Sequence, residues 1–343
     1  MPVSHRLGKT LTACALVFSS VLSGCGGGPS DIIGGGRDSA AGTKLTLVAY
    51  SVSEPGWTKV LKAFAASPWG KDISVSASYG ASGDQSRSVV AGKPADIVNF
   101  STEPDVTRLV DAHLVSHDWN ADVTAGIPFT SVVTFVVRKG NPKGIHDWTD
   151  LLKPGIEVIT PSPLSSGSAK WNLLAPYAAM SGGGKDANAG LDFVRKLVTE
   201  HVKTRPGSGR DATGEFLQGS GDVLISYENE AINTERQGKA VEHVTPSQTV
   251  RIENPVAVVI ASSHLDQATA LKNFLYTPEG QTAWAQAGFR PVDPGVEAKF
   301  ANTFPAPAKL WTIDDLGGWE SVDQQLFDKS SGSITKIYKQ AVG

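Results

Sequence analysis

The chain begins its regular patterning at Lys44-Leu-Thr-Leu-Val-Ala-Tyr50, a mostly apolar run that reads as a buried strand. Pro55 to Ser67 reads as a helix with Pro in its first turn. Ile73 to Tyr79 alternates as a strand does, and Ser82 to Val90 reads as a helix with Ser82 at its N-cap. Asp96-Ile-Val-Asn-Phe100 is a short strand, and a helix from about Glu103 to Ala112 follows. The order β-α-β-α-β-α predicts a parallel sheet with helices on both faces.

The theme returns further on. Ser131-Val-Val-Thr-Phe-Val-Val137 is a strongly β-branched run, and Val158-Ile159 is a short strand that leads through Pro161 to Gly167 into a helix, Ser168 to Met180. Helices are predicted at Leu191–Glu200 and Asp211–Gly219, then a strand at Asp222–Tyr227. After Asn254-Pro255 comes Val256-Ala-Val-Val-Ile260, and helices at about Leu265–Tyr276 and Pro278–Ala287 close the body. Two α/β lobes joined by crossing segments near 130 and 252 fit this pattern. The expected division is lobe I over 44–130 plus 252–300, lobe II over 131–251, and a segment 301–343 packing across the lobes.

The 343 residues, 40% hydrophobic and 19% charged, supply ample core for two domains. The net charge of −3 disfavours nucleic acid, whose binding rests on basic neutralisation of phosphates. Residues 1–24 have the shape of a secretory leader: Arg6 and Lys9, then an apolar run from Leu11 to Leu22 too short to span a bilayer. Leu22-Ser23-Gly24-Cys25 resembles the bacterial lipobox, in which the cysteine becomes the lipidated first residue, and the glycines at 26–28 and 34–36 suit a flexible tether over 25–43. Loss of the leader takes away two bases and no acid, which moves the charge from −3 to −5. Cys14 leaves with it and Cys25 takes lipid, so the folded body holds no thiol for a disulfide or a metal.

An acidic protein that binds an anion needs local donors. Three segments share a design that supplies them, a turn of Ser and Gly opening a helix: Tyr79-Gly-Ala-Ser-Gly-Asp-Gln85, Pro163-Leu-Ser-Ser-Gly-Ser-Ala169 and Pro206-Gly-Ser-Gly-Arg-Asp211. The first N–H groups of a helix are unpaired and carry partial positive charge. Singly, each is an ordinary cap. Three of them in a two-lobe α/β chain point to a cleft, because ligands sit at such strand-to-helix ends.

Longer stretches are more specific. They are Val137-Arg-Lys-Gly-Asn-Pro-Lys-Gly-Ile-His-Asp-Trp-Thr-Asp-Leu-Leu-Lys-Pro-Gly155, Val158-Ile-Thr-Pro-Ser-Pro163, Ser165-Ser-Gly-Ser-Ala-Lys-Trp171, Gly221-Asp-Val-Leu-Ile-Ser-Tyr-Glu-Asn-Glu-Ala231, Tyr276-Thr-Pro-Glu-Gly-Gln281, Arg290-Pro291 and Leu316-Gly-Gly-Trp319. On these the chain resembles the bacterial sulfate-binding proteins, receptors of sulfate and thiosulfate ABC importers, from Leu45 to the C-terminus. The resemblance implies a two-lobe, type II periplasmic-binding-protein-like fold with the ligand between the lobes. It implies sulfate or thiosulfate as ligand, no cofactor, and the membrane permease subunits of an importer as partner. In that family the dianion is held by backbone N–H groups and hydroxyls. Carried over, the donors fall on Ser51, Ser82, Ser166, Gly167, Ser168 and near Gly209, and Tyr227 stands where some members place an indole donor. Ser51 replaces an acidic residue, Lys170 the usual Arg and Leu164 the usual Lys.

A donor-only site suits sulfate, which carries no proton at neutral pH and only accepts hydrogen bonds. A phosphate receptor gains from an acceptor carboxylate, so Asp84, in the first turn after Ser82, is either a solvated cap or a proton acceptor. Enzyme chemistry lacks its motifs: no Gly-x-Ser-x-Gly surrounds Ser82, Ser166 or Ser208, and Gly8-Lys9-Thr10 is no P-loop. A receptor predicts a pocket the size of one tetrahedral ion. An esterase predicts a larger groove and a serine bonded to a base. His113 and His117, four apart at a helix end, read as a surface pair, and Glu228 and Glu230 as partners of basic side chains. The large indoles, Trp57, Trp69, Trp171, Trp284 and Trp319, read as packing.

Overall fold

The computed structural model describes Ile32–Ile33 and residues 42–342. The leader, Cys25 and most of the tether lie outside the described residues. Along the chain run β1 (Ile32–Ile33), β2 (Thr43–Tyr50), α1 (Glu54–Ala66), β3 (Ile73–Gly80), α2 (Ser82–Val90), β4 (Ile97–Asn99), α3 (Glu103–Asp111) and β5 (Phe129–Arg138). Next come β6 (Val158–Ile159), α4 (Gly167–Ser181), α5 (Ala187–Lys196), β7 (Val202–Thr204), α6 (Gly209–Leu217), β8 (Val223–Tyr227), α7 (Glu228–Arg236), β9 (Val241–Val244) and β10 (Gln248–Glu253). β11 (Val256–Val258), α8 (Leu265–Phe274), α9 (Pro278–Gln286), β12 (Arg290–Pro291), α10 (Pro294–Lys299), β13 (Lys309–Trp311), α11 (Gly318–Val322) and α12 (Ser333–Val342) complete it.

Two sheets result. The first has the order β1-β3-β2-β4-β11, with β2 parallel to β3 and β4 and antiparallel strands at both edges. β2 explains the apolar run read in the sequence. Leu45, Leu47 and Ala49 join one core with Trp57, Phe64 and Trp284, while Val48 joins a second core with Val98, Phe100 and Leu109. A strand covered on both faces keeps no polar alternation. The second sheet runs β13-β10-β5-β8-β6-β7, with β9 and β12 also on β5. β5 is buried on both faces in the same way: Val133, Phe135 and Val137 on one side, Val136 on the other.

The chain passes between the sheets where β5 and β10 lie antiparallel, with Ile252 opposite Ser131. On the return side Asn254 is fully buried; its amide donates to Ser101 O at 3.0 Å and its carbonyl accepts from Tyr50 OH at 2.9 Å. Such bonds satisfy the polar groups that a buried crossing cannot leave to water. β12 pairs with the start of β5, so this stretch of 252–300 hydrogen-bonds to the second sheet. The segment after 301 packs Ile313, Trp319, Leu326, Phe327, Ile334 and Tyr338 into the second lobe's core, and α11 also touches α3 of the first lobe.

Several expectations move. The helix predicted at 191–200 starts earlier, at Ala187, where Asp186 caps it through Ala189 N–H, and ends in a single π turn. His113 has a positive φ of 56° just past the end of α3, so it and His117 do not share a helical face. Trp69 is 44% exposed, unlike the other four indoles named above. Among the described residues no helix is long and apolar enough to cross a membrane.

Candidate ligand cleft

The two lobes meet through hydrogen bonds. Gly83 N–H, in the first turn of α2, donates to Ser165 O at 3.0 Å, and Arg87 Nη2 reaches Leu164 O at 3.4 Å. From the other side Trp171 Nε1 donates to Ser101 O at 2.7 Å, Tyr227 OH lies 2.6 Å from Ser101 Oγ, and Arg210 Nη2 lies 3.5 Å from Ser51 O. The cleft is closed in this conformation.

The sequence-derived residues fall together along its walls. Ser82 opens α2, Gly167 and Ser168 open α4 with Ser166 at the N-cap, Gly209 opens α6, Tyr227 is the N-cap of α7, and Ser51 follows β2. A Cβ on Gly167 would stand 2.8 Å from Ser101 Cβ and 3.2 Å from Ser82 Cβ; one on Gly209 would stand 2.8 Å from both Ser168 Oγ and Val52 Cγ2. Ser166 Oγ and Ser168 Oγ are 2.7 Å apart. The contacts thus run from Tyr227 through Ser101 to Ser82 and Gly167, and from Ser168 through Gly209 to Val52 beside Ser51. Ser82, Ser166, Ser168, Tyr227 and Ser51 are all buried. Glycine at 167 and 209 is what lets the walls approach this closely.

The N–H groups of Ser82, Gly167, Ser168 and Gly209 lie in the first turns of α2, α4 and α6, where the helix itself offers them no acceptor, and no loop or cap carbonyl among the described residues takes them. At the head of three helices they form a donor-rich, partly positive lining. Burial pushes the Tyr227 phenol far above its ordinary range, so it keeps its proton at neutral pH. The nearby charges are matched elsewhere. Arg210 pairs with buried Glu230 at 2.9 Å and Arg290 grips buried Glu228 at 2.7 and 2.8 Å, as structural partners of those acids. Lys170 pairs with Asp323 at 2.5 Å, and Leu164 is 44% exposed.

Asp84 points away from the lining. It is 59% exposed and pairs with Arg87 at 2.5 Å on the surface. The acid that does reach the site is Asp105, which sequence reasoning missed: it accepts from Ser82 Oγ at 2.6 Å and is 3% exposed. Ser82 is therefore a serine bonded to a carboxylate, the feature that an esterase predicts. The rest of the geometry does not suit a nucleophile. Ser82 Oγ also accepts Ser101 N–H at 2.8 Å and is buried, and Asp105 is occupied by Thr102 Oγ1 at 3.1 Å and Arg108 at 3.0 Å. The carboxylate orders the α2–α3 corner. With its hydroxyl spent, Ser82 offers the cleft its N–H.

A surface cavity of about 490 Å³ opens over Ser166 and Gly167, lined also by Gly83, Arg87, Lys170 and Lys329. It is larger than one tetrahedral ion, contrary to the size expected of the pocket. Ser82, Ser168 and Tyr227 do not line it, whereas Asp105, which bonds Ser82 Oγ, does. Ser101 is the other residue missed. No motif marks it, but it stands two residues past β4, the kind of strand end where cleft residues gather.

Two α/β lobes closed on a buried, donor-lined cleft define a solute-binding protein of the two-lobe, type II class, in which a small ligand is enclosed between lobes. Residues 45–290 match the bacterial extracellular solute-binding protein family, and the chain belongs to that family. The sulfate-binding protein SubI from Mycobacterium tuberculosis H37Rv is similar to it in structure, with a TM-score of 0.82 and 71% identity over 83% of this chain and 100% of that one. A sulfate-binding protein of Synechococcus elongatus is 35% identical over 347 residues, 97% of each chain. A thiosulfate-binding protein of Pseudomonas aeruginosa is 37% identical over 298 residues, 84% of this chain and 88% of that one.

Proposed function

We propose that this protein captures sulfate outside the cytoplasm and delivers it to the permease of an ABC importer. The observation that carries the reading is the set of unspent N–H groups at the heads of α2, α4 and α6, gathered around a closed cleft. Such a lining offers donors to every oxygen of a dianion and no free carboxylate to a protonated one. The bound ligand would sit against Ser51, Ser82, Ser166, Gly167, Ser168 and Gly209. Relatives named for sulfate and for thiosulfate leave both ligands in play. Calorimetry with sulfate, thiosulfate, phosphate and molybdate tests the reading. Sulfate or thiosulfate is expected well ahead of phosphate; the reverse order overturns it.

Delivery requires the body to stay near the membrane. Cys25 would carry lipid, and more than one acyl chain gives durable attachment. Cys25→Ala is expected to move the protein from membrane to soluble fractions, and an unaltered distribution ends the claim. Ligand capture would proceed by hinge motion at the crossing of β5 and β10. Small-angle scattering is expected to show compaction when sulfate is added.

A further inference from the structure

We infer that Ser101 donates a hydrogen bond to the bound oxyanion, and that Tyr227 serves the ligand only through Ser101. The inference rests on the sulfate reading above and adds a residue to its site. Ser101 is 1% exposed and is held on three sides. Its N–H donates to Ser82 Oγ at 2.8 Å, its carbonyl accepts from Trp171 Nε1 at 2.7 Å and Asn254 Nδ2 at 3.0 Å, and its Oγ lies 2.6 Å from Tyr227 OH.

Proton accounting sets the direction of that last bond. The Tyr227 phenol is fully buried and keeps its proton, which needs an acceptor. Asn254 Oδ1 already takes the proton of Tyr50 OH at 2.9 Å. Asn254 is also in hydrogen-bond reach of the phenol, but Ser101 Oγ at 2.6 Å is the short contact, and we take the phenol to donate there. The hydroxyl proton of Ser101 is then left without an acceptor among the described residues. A buried hydroxyl donor without a partner is costly, and the cleft is where a partner would arrive. Position agrees: a Cβ on Gly167 would stand 3.0 Å from Ser101 Oγ, so the hydroxyl lies against the first amide of α4 and one residue's bonding away from the first amide of α2. The phenol and the serine would then act in series.

Calorimetry with sulfate on wild type, Ser101→Ala, Tyr227→Phe and the double variant tests this, with thermal melts to confirm that each folds. Ser101→Ala is expected to weaken binding about 10- to 150-fold, the range of a hydrogen bond to a charged group. Tyr227→Phe is expected to cost only a few-fold, and nothing further in the Ser101→Ala background. Wild-type affinity in Ser101→Ala overturns the inference, and so does an undiminished cost of Tyr227→Phe in that background, which would make the phenol the direct donor. A crystal structure of the wild-type sulfate complex decides even if a variant fails to fold. Ser101 Oγ is expected within hydrogen-bond distance of a sulfate oxygen, and a separation beyond about 3.5 Å from every one overturns the inference. A wild-type protein that binds no sulfate fails the parent reading and this one with it, whereas binding with an unaffected Ser101→Ala fails this one alone.

Discussion

The heads of α2 and α4 look alike in sequence, Ser82-Gly83 and Ser166-Gly167, but the structure uses them differently. At α2 most of the donors are spent within the protein. Ser82 Oγ is bonded to Asp105, and Gly83 N–H crosses the cleft to Ser165 O. At α4 the N–H groups of Gly167 and Ser168 meet no acceptor, and the two serine hydroxyls share one short contact. One helix head closes the cleft and the other is left for what the cleft encloses. A Ser-Gly pair at a helix start is thus a supply of donors whose use is set by what faces it, in its own lobe as at Asp105 and in the opposite lobe as at Ser165.

The largest effect is expected from crowding α4. Gly167→Val places side-chain atoms where a Cβ alone already comes within 2.8 Å of Ser101 Cβ. The clash lies between lobes, so it opposes closure more than folding. Overpacking of this kind costs about 3 kcal/mol, and the expected loss of sulfate affinity is about a hundredfold or more with little change in melting temperature. Titration calorimetry paired with a thermal melt checks both halves. A large fall in melting temperature with affinity intact would place the clash inside one lobe.

Hydroxyl deletion is expected to separate the two heads. Ser166→Ala removes a hydroxyl from the α4 side and is expected to weaken sulfate binding about 30-fold, within the range for a bond to a charged group. Ser82→Ala keeps the N–H that faces the cleft and strands Asp105 and Ser101 N–H without their shared partner. It is expected to cost about 1–3 kcal/mol of stability and less than tenfold in affinity. Urea unfolding and calorimetry on both variants read the contrast, and matching profiles in the two variants would erase the distinction between the helix heads.

Much of this was legible before any coordinates. The helix predicted at Ser82–Val90 and the strand at Val158–Ile159 coincide with α2 and β6, but Ala81 and not the expected Ser82 stands at the N-cap of α2, because the Ser82 hydroxyl bonds Asp105 instead of a backbone N–H of its own helix. The strands β9 and β10 were not predicted. Val241-Glu-His-Val244 and Gln248-Thr-Val-Arg-Ile-Glu253 carry too many polar residues for an apolar run, and their order comes from pairing with β5. The site divided the same way. Glycines and serines at helix heads announce themselves by local pattern. Ser101 and Asp105 act through residues such as Ser82, 19 and 23 positions away, and Tyr227, 126 away, which no local pattern records.

The smallest effect is expected at Asp84, and it bears on which anion the cleft prefers. A phosphate receptor gains from a carboxylate that accepts the ligand's remaining proton, and Asp84 was the acid nearest in sequence to do so. The structure turns it outward onto Arg87, with side chains 59% and 48% exposed, and surface pairs of this kind contribute little. Asp84→Asn is therefore expected to change sulfate affinity less than about threefold, through the weak reach of Arg87 to Leu164 O at 3.4 Å. Ligand order is expected to stay the same from pH 6 to 8. Sulfate holds no proton in that range, amides and hydroxyls do not titrate, and the Tyr227 phenol, raised by burial, stays protonated throughout. A binding curve flat in pH for wild type and Asp84→Asn alike is the outcome expected by calorimetry. If instead wild type preferred phosphate and Asp84→Asn abolished the preference, Asp84 would have to turn inward when ligand binds, and the cleft would belong to a protonated oxyanion rather than to sulfate.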